Sequence, residues 1–215
     1  MEQHIPDSVD ESLSVAPISR DELRASEAWP IAFSGQRKDH RYYEIIADTI
    51  RDQFEYGYFA IRDATGRVVA VQPYFMLDQD VLEGVRLDRS WIVARIRRRY
   101  PRFLKLRTLM LGCTAGEGHL AKSAQLPSAT VAKALAKGIV DQAQALGAQM
   151  IVLKEFPRDD RRDLAAFVQE GFSRAPSMPM TTLDIDYRNF DDYMEKALSA
   201  KIRRDLRKKF RAAES

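Results

Sequence analysis

The stretch GCTAGEGHL, residues 112–120, gathers residue types that can do chemistry. Glu117 and His119 flank Gly118, and a carboxylate or an imidazole can accept a proton near neutral pH, directly or through a water. The same pair also suits a solvated loop. Glu155, next to Lys154, closes an apolar run. Burial there would raise a carboxylate's pKa, whereas pairing with Lys154 or an arginine would make it structural. Cys113 is the one cysteine in the chain. A thiolate near a helix N-terminus is activated, but the sequence shows no Asn or Asp partner for His119, and a lone cysteine is more often a packing residue. His4, His40 and His119 are scattered without metal-ligand spacing. No nucleophile-elbow motif marks a serine hydrolase.

These residues depend on a strand–helix–strand unit. LKLRTLML predicts a strand running into the glycine-bearing loop. SATVAKALAKGIVDQAQALG predicts a helix with Val131, Leu135 and Ile139 on one face and Gly147 as its stop. AQMIVLKEF predicts a second strand, apolar enough to be buried on both faces. A crossover helix makes the two strands parallel. Ligands of open α/β sheets gather beyond the carboxyl ends of such strands, here Gly112–Gly118 and Lys154–Glu155.

Upstream, LSVAPIS predicts a strand that Pro17 sends to an edge, and Ser19 and Glu22 stand in capping-box spacing. HRYYEIIADTIRDQF predicts a helix with Tyr43, Ile46, Ile50 and Phe54 on one face. Two apolar runs around DATG predict a hairpin turning at Gly66. RSWIVARIRRRYP predicts a basic helix stopped at Pro101, packed through Trp91, Ile92, Ile96 and Tyr100. Its arginines suit phosphates, an acidic partner or solvent. Downstream, DDRRDLAAFVQEG predicts a helix capped by Asp159 or Asp160 and ended by Gly171. MTTLDIDY predicts strand, and a last helix runs from about Phe190. In that helix Met194, Leu198, Ile202, Leu206 and Phe210 recur every four residues, a stripe that must be buried against something.

Hydrophobic residues make up 45% of the chain, enough for a core, and the net charge is only +3. The first thirty residues are acidic, while Arg86–Arg107 and Lys201–Arg211 are basic. One cysteine allows no intrachain disulfide and points to a reducing compartment. No signal peptide opens the chain, and no apolar run reaches the roughly 18 residues that span a bilayer. The expectation is a cytoplasmic protein with no membrane span.

This order of elements resembles the GNAT acyltransferase fold. The resemblance implies an α/β domain over residues 13–187 with a mixed central sheet flanked by helices and a long basic amphipathic helix in 188–215, while the polar composition of segment 1–12 predicts a flexible N-terminus. LAAFVQEGF (Leu164–Phe172) resembles the family's helix ending in Gly-Phe. LSAKIRRDLRKKFR resembles the basic helix of the FemAB-like branch, which includes peptidoglycan- and cellulose-cluster acyltransferases and in which that helix joins two GNAT-like halves. The implied activity is transfer of an acyl or aminoacyl group from acetyl-CoA, another acyl-CoA or a charged tRNA. The implied acceptor is an amine on a small molecule or cell-wall precursor. Gly112, Cys113, Thr114, Gly116 and Gly118 would then cradle the donor's pyrophosphate, with Glu117, His119 and Glu155 as the candidate catalytic groups. The family pattern is not met at three places. Cys113 stands where Gln or Arg is expected, Pro127 separates the loop from the next helix, and Phe167 replaces the tyrosine that protonates the leaving thiolate. Two alternatives stay open. One is a non-catalytic half whose second GNAT-like half packs on the terminal helix. The other is nucleic-acid binding through that helix, although no RNP-like or helix-turn-helix signature accompanies it.

Overall fold

The computed structural model describes residues 13–82, 90–176 and 184–213. Segment 1–12, the start of the basic stretch at Arg86 and the first part of MTTLDIDY lie outside the described residues; Asp184–Tyr187, the rest of that predicted strand, form no strand. The chain divides into two compact units, one ending at Ala175 and the other beginning at Pro176.

The first unit is built on a five-stranded mixed sheet in the order β1 (Ser14–Pro17), β2 (Glu55–Arg62), β3 (Val68–Asp80), β4 (Lys105–Leu111) and β5 (Met150–Leu153). The first three pairings are antiparallel and the last is parallel, with Thr108 opposite Met150 and Leu111 opposite Leu153. The expected edge strand carries Pro17 where a missing N–H costs no interior ladder bond. The β2–β3 hairpin turns as predicted. Gly66 takes φ 84°, and the Asp63 carboxylate accepts from the Thr65 and Arg67 N–H groups.

Both faces of β2 are buried, by different partners. Phe59 and Ile61 point to one side, where α5 (Ser128–Ala145) supplies Val131, Leu135 and Ile139. Tyr58 and Ala60 point to the other, where α1 (Arg20–Ala25), α2 (Ala28–Ala32) and α3 (His40–Thr49) supply Leu23, Trp29 and Tyr43, with Phe33 following α2. Ser19 and Glu22 form the predicted capping box on α1. Helix α2 escaped the sequence reading because it is one turn long and holds Pro30, which a first turn tolerates.

Several expected elements differ. Helix α3 stops at Thr49, short of Phe54, which instead packs edge-on against Phe75. Strand β5 is only half-buried along its length, because among the described residues it is the last strand of the sheet. Ile151 and Leu153 pack on the α5 side. The helix predicted from Asp159 is instead a 3₁₀ turn over Arg158–Arg161 followed by α6 (Ala165–Gln169), and neither aspartate caps it. Gly171, at φ 92°, does follow the end of α6. The basic helix α4 (Ser90–Arg99) ends before Pro101 as expected.

In the second unit the single terminal helix is replaced by two, α7 (Phe190–Ala197) and α8 (Ala200–Ala213), separated by an extended Leu198. Arg203 donates to the carbonyls of Met194, Glu195 and Leu198, which α7 leaves unpaired at its end. The Phe190 and Phe210 rings lie 5.8 Å apart, so α8 folds back along α7. The apolar stripe is therefore split: Met194 is buried, while Ile202 and Phe210 stay about half-exposed.

One buried polar side chain ties the first unit together. Gln72, wholly buried on β3, accepts from the Ala121 N–H at 2.9 Å and donates to the His119 carbonyl at 3.2 Å. The β3–β4 ladder ends at Tyr74, and beyond it this amide takes the place of a strand rung. Gln72→Leu keeps the volume but strands two buried backbone groups, so urea unfolding should show a loss of about 3 kcal/mol. On the other face, Gly138 lets α5 approach β1: a Cβ there would sit 2.8 Å from Val15 Cβ. Gly138→Ala should gain up to about 1 kcal/mol in helix propensity yet lose more to overpacking, for a net lower melting temperature.

Candidate functional site

The loop from Gly112 to Pro127 lies beyond the carboxyl ends of β4 and β5 and is pinned on four sides. Gln72 holds it to β3. The Gly118 N–H donates to the Glu155 carbonyl at 3.1 Å, holding it to the end of β5. The Lys38 ammonium, from the α2–α3 connection, donates to the carbonyls of Ala115 and Glu117. Lys122 returns the contact, its N–H to Ala32 O at 2.8 Å and its ammonium to Ser34 O at 3.3 Å. The Tyr56 hydroxyl adds a bond to Thr114 Oγ1.

This anchoring decides what each predicted residue does. Gly112 and Gly118 meet face to face: a Cβ on Gly118 would stand 2.9 Å from Gly112 Cα and 2.7 Å from Lys154 O. These glycines let the loop close onto β5, and the Gly118 N–H is already used. Cys113 is buried in the α1–α3 cluster, out of reach of a substrate. Gly116 is exposed, in the left-handed region at φ 72°, beside Lys38. Glu155 takes φ 53°, costly for a residue with a Cβ, and its carbonyl receives Gly118. Its carboxylate pairs with Lys154 at 2.9 Å.

Glu117 and His119 are both half-buried on this loop. Burial pushes the imidazole below the ordinary histidine value of 6.5, outweighing the carboxylates of Asp160 and Glu117, which act the other way. Asp160 is the partner that sequence reading did not find. It arrives from the 3₁₀ turn after β5, where the run RDDRRD looked like a helix cap. The Leu120 N–H bonds its carboxylate, while Oδ2 is buried without a partner among the described residues. Burial, its largest cause, pushes the Asp160 carboxyl up, and Asp163 and Asp159 add to this. The result is an imidazole that stays neutral at neutral pH with a carboxylate in its field. Such a group can accept a proton and stabilise the cation formed.

Two cavities adjoin this end of the sheet. One, of about 390 Å³, lies between α1–α2, the start of β3 and the far limb of the loop, and is lined by Glu22, Ser26, Glu27, Ile31, Val68 and Gln125 among others. The other, of about 10 Å³, is enclosed by Tyr43, Tyr56, Tyr58, Tyr74 and Cys113 among others. For a phosphate-bearing donor, the fit is confined to the loop's tip. The N–H groups of Thr114, Ala115 and Gly116 have no partner among the described residues, and Lys38 lies beside them. Gly118, whose N–H is engaged, does not fit that role, and Gly112 already faces Pro73 O. No helix starts there to add its N-terminal field, since α5 begins only at Ser128.

No protein-family model matches this chain, and no curated protein matches it. Among solved structures it is similar to an aminoglycoside 6'-N-acetyltransferase from Acinetobacter baumannii, at 12% identity and TM-score 0.45, over 80% of this chain and 99% of the other. It is similar also to a ribosomal-protein-alanine N-acetyltransferase from Brucella melitensis biovar Abortus 2308, at 14% identity and TM-score 0.44, over 80% of this chain and 100% of the other.

Proposed function

We propose that the first unit is an acyltransferase domain of the GNAT kind, moving an acyl group from an acyl-CoA thioester to an amine. The observation that carries this reading is His119, held half-buried beyond the carboxyl ends of β4 and β5 with Asp160 beside it. When bound, the thioester would supply an activated carbonyl carbon. Lys38 and the N–H groups of Thr114, Ala115 and Gly116 would hold its phosphates.

The chain's own residues then divide the work. Neutral His119 takes a proton from the incoming amine, and the Asp160 carboxylate lowers the energy of the imidazolium that results. Gln72 keeps the His119 backbone in place through its carbonyl. Glu117, on the same half-buried stretch, is the second candidate proton acceptor. Glu155 acts through its backbone, because its carboxylate is paired with Lys154. Phe167 supplies no proton: it is buried and packs edge-on against Phe172 at 5.3 Å. The proton that His119 takes from the amine can then pass to the leaving thiolate.

Isothermal titration should show CoA binding that Lys38→Ala weakens and His119→Gln leaves unchanged. In a thiol-release assay with acetyl-CoA and a panel of primary amines, His119→Gln should lower turnover roughly a hundredfold or more. Because the His119 pKa is depressed, wild-type activity should fall only as pH drops below 6.5. Asp160→Asn, which removes an influence that raises that pKa, should move the falling limb to still lower pH. No heat with CoA and no thiol release with any amine would leave a non-catalytic domain as the reading.

A further inference from the structure

Helix α4 takes no part in that site, and its composition asks for a partner. None of Trp91–Arg99 is buried. The helix is tied to the sheet through Arg97, whose guanidinium grips both oxygens of Asp80 at 2.6 and 2.7 Å and donates to Phe103 O at 3.0 Å. Trp91, Arg95, Arg98 and Arg99 are spaced to share one helical face. The sequence anticipated Trp91 and Tyr100 as packing residues; they are instead 66% and 62% exposed. Val81, Phe103 and Leu104, next to the turn that follows α4, are exposed as well.

The charge is one-sided. No acidic residue occurs from Ser90 to Lys105, and Arg95, Arg98 and Arg99 make no ion pair with any described residue. Exposed aromatics beside such arginines fit either a nucleic acid or an anionic membrane surface. The aliphatic tips decide between them. Base stacking uses aromatic rings and guanidinium planes but leaves Val81 and Leu104 in water, whereas a bilayer interface takes aliphatic and aromatic tips together.

We propose that α4 and the turn after it form a docking surface for an anionic lipid bilayer. Trp91 enters the interface from the face it shares with Arg95, Arg98 and Arg99, whose guanidinium groups meet headgroup phosphates while their stems cover apolar surface.

The test is cosedimentation of the full chain with phosphatidylcholine vesicles, with and without phosphatidylserine. Binding should require phosphatidylserine and weaken as salt rises. Trp29 is buried, so Trp91 should report contact by a blue shift in emission that Trp91→Phe abolishes. Replacing Arg95, Arg98 and Arg99 by Gln should weaken binding on the order of a hundredfold. The matched replacement of Arg204, Arg207 and Lys208 on α8 should change it by less than about threefold. Should the triple α4 variant misfold by circular dichroism, Trp91→Ala and the salt dependence of the wild type test the same surface: unchanged binding in either would overturn it. Equal binding to vesicles without phosphatidylserine would overturn the proposal, as would loss of binding only in the α8 variant. Binding of an RNA oligomer through α4 with none to vesicles would also overturn it.

Discussion

The amide of Gln72 is the constraint that organises the first unit. Strand β3 loses its β4 neighbour at Tyr74, and an interior strand without a neighbour leaves buried N–H and C=O groups unpaired. The loop fills the neighbouring place there, and the Gln72 side chain holds it by accepting from the Ala121 N–H and donating to the His119 carbonyl. Several features follow from that bond. Ala121 enters the core on the α1–α3 side, the Leu120 N–H is brought to Asp160, and the His119 ring is carried into a half-buried position.

The loop that Gln72 anchors shows how one residue type serves two ends. Glycines beyond a strand suggest an anion cradle, and their freedom from a Cβ is what such a cradle needs. Here that freedom is used mainly for close approach, since Gly112 and Gly118 touch each other and the end of β5. The left-handed Glu155 belongs to the same contact, its strain offset by the bond its carbonyl accepts. What remains for a ligand is the exposed tip at Ala115–Gly116 and the Lys38 ammonium beside it. Lys38 comes from the helical side of the sheet, so the tip depends on two separate layers of the fold.

Two basic amphipathic helices with similar sequences meet different ends. In the second unit α8 turns back on α7, and Arg203 spends its charge on the carbonyls at the end of α7. Such an arrangement covers part of the apolar stripe locally, without a partner molecule. In the first unit α4 is held by the Arg97–Asp80 fork, and its aromatic residues face outward. An amphipathic pattern announces that a face is to be covered; it does not say by what.

Local features were legible in the residues alone. The hairpin at Gly66, the capping box at Ser19 and the parallel β4–α5–β5 unit follow from short-range patterning, because turn chemistry and hydrophobic period are properties of neighbouring residues, while the mixed sheet flanked by helices was expected from the resemblance. The end of the sheet that carries the candidate site followed too, since a parallel crossover places its loops at the strands' carboxyl ends. Other assignments needed the folded chain. Asp160 reads as a helix cap until the fold sets it beside His119, and Gln72 reads as one polar residue in an apolar strand until it meets Ala121. The continuous terminal stripe reads as one helix until Arg203 closes off α7. In each case the energy of a polar group depends on how completely water is removed around it and on which distant group replaces that water. Neither is a property of the neighbouring residues.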